Sequence, residues 1–238
     1  MSNILIKFAT RGRPEWFKKA IVNILGTKRT RSIIILVTAD EDDPTMNNDD
    51  IRKFVERYFS VVIIYGKSES KIHAINRDID QMGNWDILIN MSDDMMFIVD
   101  GWDDIMVKMI QEVWGDSLDF FAHFNDGYIG DKLASMSIIG KTYYERDNYI
   151  YYPEYKSFSS DAEAWFVARA RGRHHYFPEV LFLHQHPTWT PRSDDETYRR
   201  NSLATPHDLE VYWRRLNSNF GLEIEGHTLW DEFKTKKP

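Results

Sequence analysis

Residues 85–104, WDILINMSDDMMFIVDGWDD, set two adjacent acids between two apolar runs. After Asp86 come Ile87, Leu88, Ile89, Asn90 and Met91, a mostly apolar run of strand length. Ser92, Asp93 and Asp94 break the run, residues 95–99 resume it, and a helical pattern starts after Gly101 and Trp102. Two adjacent carboxylates between apolar runs are costly to bury, because desolvating an ionised carboxylate is unfavourable unless it is paired. A strand end that opens on a cleft holding a divalent cation resolves that cost. Hard cations take carboxylate oxygens together with substrate phosphates. The competing reading is an acidic surface turn, where Asp bonds its own backbone.

Upstream, the chain alternates. Residues 3–9, NILIKFA, read as a buried strand and residues 10–14, TRGRP, as a turn. Pro14 suits the first turn of a helix that carries Trp16, Phe17, Ala20, Ile21, Ile24 and Leu25 on one face. Residues 32–39, SIIILVTA, form a second strand, ended by Asp40, Glu41, Asp42 and Asp43. Residues 47–59 are helix-compatible, 61–65 form a third strand, and 71–82 carry a helical apolar stripe of Ile72, Ile75, Ile79 and Met82. This order predicts an α/β fold with a Rossmann-like, mostly parallel central sheet flanked by helices. Ligands bind beyond the carboxyl ends of such strands. The polar clusters at 10–13, 40–43 and 92–94 all fall on that rim.

Downstream, residues 118–124 and 133–139 read as strands, 160–172 as a helix and 179–184 as a last strand. A charged tail follows from Pro191, with a helix over 207–216. No linker separates two domains. The expected division is 1–190, with a donor half to about 115 and an acceptor half after it, plus a C-terminal helical extension, 191–238, in the same domain.

With no Cys in the chain, disulfides, zinc–thiolate sites and a Cys nucleophile are excluded. No apolar run is long enough to span a membrane, and the first residues lack a signal-peptide pattern, so the expected location is cytoplasmic. A net charge of −7 weighs against a nucleic-acid acceptor.

Taken together, Thr10-Arg-Gly-Arg13-Pro, the acids after the second strand, Lys71 and Asn76, and Asp93-Asp94 resemble the GT-A (nucleotide-diphospho-sugar transferase) fold, most closely glycosyltransferase family 2. Ser160-Asp161 ahead of a helix, and His184 and His186 after it, extend the resemblance to about Pro187. The resemblance implies a metal-dependent sugar transfer from a nucleoside diphosphate sugar, UDP-linked by expectation, to the hydroxyl of a glycan or other acceptor. Thr10, Arg11, Arg13, Asp40, Asp42, Lys71, Asn76 and Asp93 then fall at the nucleotide and donor. The ribose has a physical warrant, since carboxylates accept from its hydroxyls. Asp94 is implied as the ligand of Mn²⁺ or Mg²⁺, with His184 and then His186 as further ligands; imidazole suits Mn²⁺ better.

Asp161 falls at the base of an inverting transfer, with Glu163 behind it. Its competing role is a helix cap. The Tyr-rich segment 124–155 falls where the family places its acceptor, with Asn125, Asp126, Tyr128 and Trp189 as contacts. His73, His123, His174 and His175 read as structural. Two rivals remain. One is a nucleotidyltransferase of similar fold, which usually carries a Gly-rich opening loop missing here. The other is a domain that holds nucleotide sugar without turnover.

Overall fold

A computed structural model describes residues 2–187, 190 and 195–223. The first half alternates as expected: β1 (Ile4–Thr10), α1 (Pro14–Thr27), β2 (Ile33–Asp40), α2 (Asp49–Val55), β3 (Val61–Gly66), α3 (Lys71–Asn76) and β4 (Ile87–Met91). Then come β5 (Met95–Phe97), α4 (Trp102–Trp114), β6 (Phe121–Phe124), β7 (Ile138–Gly140) and α5 (Lys141–Tyr144). α6 (Ser160–Ala170), β8 (His174–Phe177), β9 (Phe182–His184), α7 (Glu196–Ser202) and α8 (Thr205–Asn217) complete the described chain.

Seven strands make one mostly parallel sheet in the order β3-β2-β1-β4-β7-β6-β8, and β5 pairs with β9 in a separate ribbon. β3, β2, β1 and β4 run parallel; β7 is antiparallel to β4 and β6. Side-chain alternation in the strands separates two cores. Ile4, Ile6, Phe8, Ile35, Val37, Ile87 and Ile89 pack with α1 and α4 on one face. Leu5, Leu36 and Leu88 meet α3, α6 and α8 on the other. Each such buried aliphatic contributes roughly 1.5–3 kcal/mol. β1 lies between β2 and β4, so chain connections leave it in both directions. That is the topological switch point where α/β sheets open a ligand crevice.

Several elements differ from the sequence expectation, for identifiable reasons. The helix expected over 71–82 stops at Asn76. Lys7, fully buried in β1, donates to Thr38 and, at 2.8 Å, to the Arg77 carbonyl. Burial draws its ammonium down to about 7, against the opposing pull of Asp78. Arg77 therefore leaves the helix, and Asp78 turns the chain with φ 72° into a 3₁₀ turn, Ile79–Gln81. The strand expected over 133–139 shrinks to Ile138–Gly140, and α2 is shorter than 47–59. At Gly140 a Cβ would stand 2.2 Å from the Leu118 carbonyl oxygen, so that strand end has room only for glycine. β8, with the sequence HHYF, was not foreseen; it pairs parallel with β6. α7 was not foreseen either. Among the described residues no helix is long and apolar enough to cross a membrane.

Candidate active site

A cavity of about 480 Å³ opens at the carboxyl ends of β1, β2 and β4. Thr10, Arg11, Arg13, Asp40, Lys71, Asp93, Asp94, Asp161, His184 and His186 all line it. The structure thus brings ten of the sequence candidates together.

At one end, the Arg11 guanidinium bridges Asp40 at 2.7 Å and the exposed Asp42 at 2.5 Å. Asp40 is buried, and its Oδ1 has no hydrogen-bond partner among the described residues. A buried carboxylate oxygen left open is costly. It is also a ready acceptor for a base N–H or ribose hydroxyl.

In the middle, Asp93 and Asp94 are both buried. Arg13 contacts Asp93 Oδ1 at 2.8 Å and Asp94 Oδ2 at 3.8 Å, and Thr10 donates to Asp93 Oδ2 at 3.2 Å. Burial raises the Asp93 carboxyl to about 6, against Arg13 and with the help of the Asp94 charge. Asp94 goes the other way. Burial pushes it up, but His184, Ser92 and Arg13 together hold it below the ordinary carboxylate range. His184 Nε2 lies 3.5 Å from Asp94 Oδ1, and its Nδ1 lies 3.8 Å from Asp126 Oδ2. Burial lowers the imidazole, yet the two flanking carboxylates overcome it and hold the ring up to about 9. His186 is lowered by burial and stands edge-on to Tyr198.

Asp161, the second residue of α6, also lines the cavity. Ser159 occupies the N-cap position in the left-handed region, φ 62°, and caps nothing with its side chain. Asp161 Oδ1 accepts from the N–H of its neighbour Ala162 at 2.9 Å, one of the free first-turn donors of α6, while the carboxylate also lines the cavity. Burial raises it above the usual carboxylate range, against the pull of Ala162 N–H and Lys71.

Six candidates fall outside the cavity lining, each with a visible reason. Asp42 is reached only through Arg11. Asn76 donates to the Tyr151 carbonyl at 2.6 Å and accepts from the Ile150 and Tyr151 N–H groups, so it clamps that loop instead of facing a ligand. Glu163 takes Arg215 and the Tyr155 hydroxyl, at 2.6 Å and 2.8 Å, on the far side of α6. Asn125 accepts from Gly127 N–H. Asp126 accepts from Tyr128 N–H, Ile129 N–H and Ser135, which lock it behind His184. Tyr128 is exposed. Trp189 lies outside the described residues.

The C-terminal helices supply a wall that the sequence reading missed. Thr197, Tyr198, Arg200 and Asn201 of α7 and His207 of α8 line the cavity. Asp195 caps α7 through Tyr198 N–H and holds Arg13 at 2.7 Å. Thr197 donates to the Arg11 carbonyl, and a Cβ at Gly12 would sit 2.8 Å from its hydroxyl. With φ 71°, Gly12 is required both for the turn and for the close approach of α7. The Asp195-to-helix cap was the available signal. In α8, fully buried Asp208 accepts the N–H groups of Lys156, Ser157 and Phe158, each at 2.8 Å, just ahead of Asp161. Asp208→Ala leaves three donors unpaired and should lower stability by roughly 2–4 kcal/mol in a urea titration. A loss below about 0.5 kcal/mol would contradict this anchoring role.

No cluster of three or more His, Cys, Asp or Glu side chains among the described residues is arranged to hold a metal by itself. Asp94 and His184 instead stand 3.5 Å apart as a carboxylate and imidazole pair. That pair fits a cation completed by substrate phosphates, the usual arrangement for Mg²⁺ and Mn²⁺ at nucleotide sites.

No protein-family model and no curated protein matches the chain. Solved structures do. A mannosyltransferase, PcManGT from Pyrobaculum calidifontis, described in complex with GDP-Man and Mn²⁺, superposes with a TM-score of 0.63 at 11% identity. The match covers 98% of this chain and 79% of that one. TarS of S. aureus superposes with a TM-score of 0.65 at 12% identity, over 94% of this chain and 40% of that one. Neither match assigns the chain to family 2. At such identities the likeness speaks to architecture, and the chain is built on a GT-A-like glycosyltransferase fold.

Proposed function

We propose that the chain is a glycosyltransferase that moves a sugar from a nucleoside diphosphate sugar to an acceptor hydroxyl, with inversion. The observation that carries this reading is one cavity lined by the Arg11–Asp40 pair, the Asp93–Asp94 pair and Asp161. Asp40 Oδ1 accepts from the base or ribose, and Arg11 fixes its angle. Lys71, in the cavity lining, faces the diphosphate. Asp94 and His184 would hold a divalent cation, Mn²⁺ by the softness of imidazole, with His184 as the neutral imidazole. When bound, the cation stabilises the charge that builds on the departing nucleoside diphosphate. Asp161 takes the acceptor's proton as its oxygen attacks the anomeric carbon, and its raised carboxyl makes it a stronger base than an exposed Asp.

The C-terminal helices belong to the same catalytic unit in this reading, because α7 walls the cavity and α8 anchors the loop before Asp161. UDP is the nucleotide expected from the sequence resemblance, whereas the mannosyltransferase structure is described with GDP-Man. Turnover separates them. Incubation with UDP-glucose or GDP-mannose and Mn²⁺ should release the nucleoside diphosphate from one donor and not the other. Release from neither, with a panel of hydroxylated acceptors present, would sink the catalytic reading.

A further inference from the structure

Asn90 sits one residue before the end of β4, in a strand otherwise made of Ile, Leu and Met. Its side chain shares a face with Leu88, so it occupies the point where the core under that face gives way to the cavity. It is only 7% exposed, and its Oδ1 has no hydrogen-bond partner among the described residues. Buried amide oxygens are otherwise paired in folded proteins.

The rest of the side chain is held firmly. Nδ2 donates to the Tyr151 hydroxyl at 3.1 Å, and that hydroxyl also meets Ser137 at 3.2 Å. Tyr151 is itself fixed through its backbone by Asn76. Three side chains, Tyr151, Ser137 and Asn76, thus orient one amide whose remaining polar atom is open. Turning the amide over exchanges Oδ1 and Nδ2 and still leaves one of them open.

We infer that Asn90, backed by Tyr151, is the group that reads a ring hydroxyl of the sugar being transferred. This rests on the glycosyltransferase reading. Asn90 lines the same cavity as Asp94, where the diphosphate would be held, and Asp161, where the acceptor would be deprotonated. The sugar must lie between those two, because its anomeric carbon is bonded to the phosphate and attacked by the acceptor. A hydroxyl, donor and acceptor at once, satisfies the open amide atom in either orientation. A site built to bond a hydroxyl also rejects the analogue that lacks it.

Calorimetric titration of the full chain and of Asn90→Leu tests this, using UDP, UDP-glucose, GDP and GDP-mannose with Mn²⁺. The expected result is an unchanged affinity, within about twofold, for the nucleoside diphosphate, and a loss on the order of tenfold for its sugar conjugate. Equal losses for both, or no loss for the sugar, overturns the assignment. If Asn90→Leu does not fold, Tyr151→Phe decides by the same comparison, since it removes only the hydroxyl that anchors the amide. Wild-type protein that binds none of the four ligands overturns the glycosyltransferase reading and this inference with it. Wild-type binding without sugar-selective loss overturns this inference alone.

Discussion

Asp161→Asn is expected to lower turnover by on the order of 10²-fold or more while leaving donor affinity nearly unchanged. The carboxylate lines the cavity and is raised by burial, against the pull of the Ala162 N–H. The amide keeps the shape and removes the base. The pH dependence follows with a definite sign. A base works deprotonated, so kcat/KM is retained at higher pH and falls as pH drops through the Asp161 pKa. Burial raises that pKa, so the fall should come above the range of an exposed Asp, about 3.9. In the mutant that limb should vanish. Turnover within a factor of two of wild type, with a stability loss near 1 kcal/mol, would mark Asp161 as a helix-end residue only.

The second large effect is expected at Asp94. Asp94→Ala should cost on the order of 10²-fold or more in kcat/KM and abolish the strengthening of nucleoside diphosphate binding by Mn²⁺. Asp94 lies 3.5 Å from His184 Nε2 and receives the Ser92 hydroxyl, so its loss removes the carboxylate of the pair proposed to hold the cation. Manganese affinity can be read independently of activity by the paramagnetic resonance of free Mn²⁺. An unchanged Mn²⁺ affinity in the mutant would move the cation elsewhere.

The first half of the fold was legible because its strands are short unbroken apolar runs and its helices carry stripes at the right spacing. Residues 33–40 and 87–91 could be read in this way, and the rim acids followed from the ends of those runs. The break after Asn76 was not legible. Ile79 continues the helical stripe, and what stops the helix is a buried ammonium from a strand about seventy residues earlier. β8 was hidden because HHYF carries no alternation of apolar and polar residues, and its pairing with β6 is a tertiary fact.

The site divides similarly. Carboxylates that face the cavity and carboxylates that brace other residues look alike in a sequence. Asp94 lines the cavity, whereas Asp126 stands behind His184 and is bonded to two backbone N–H groups and Ser135. Glu163, two residues from Asp161, points to the other side of α6, where Arg215 waits on α8. Asn76 and Asn90 were misjudged in opposite directions. The first was read as a ligand contact and clamps Tyr151; the second passed as part of a strand and faces the cavity. Both depend on where Tyr151 sits, which no local pattern encodes.

The cavity is expected to bind a nucleoside diphosphate sugar together with a divalent cation at Asp94. Calorimetry of wild-type protein with UDP-glucose and GDP-mannose, each with Mn²⁺ and again with EDTA, tests it most directly. One donor should bind, with an affinity that weakens on the order of tenfold or more when the cation is removed. Absence of binding to both donors at millimolar concentration, or binding that EDTA leaves unchanged, would contradict it.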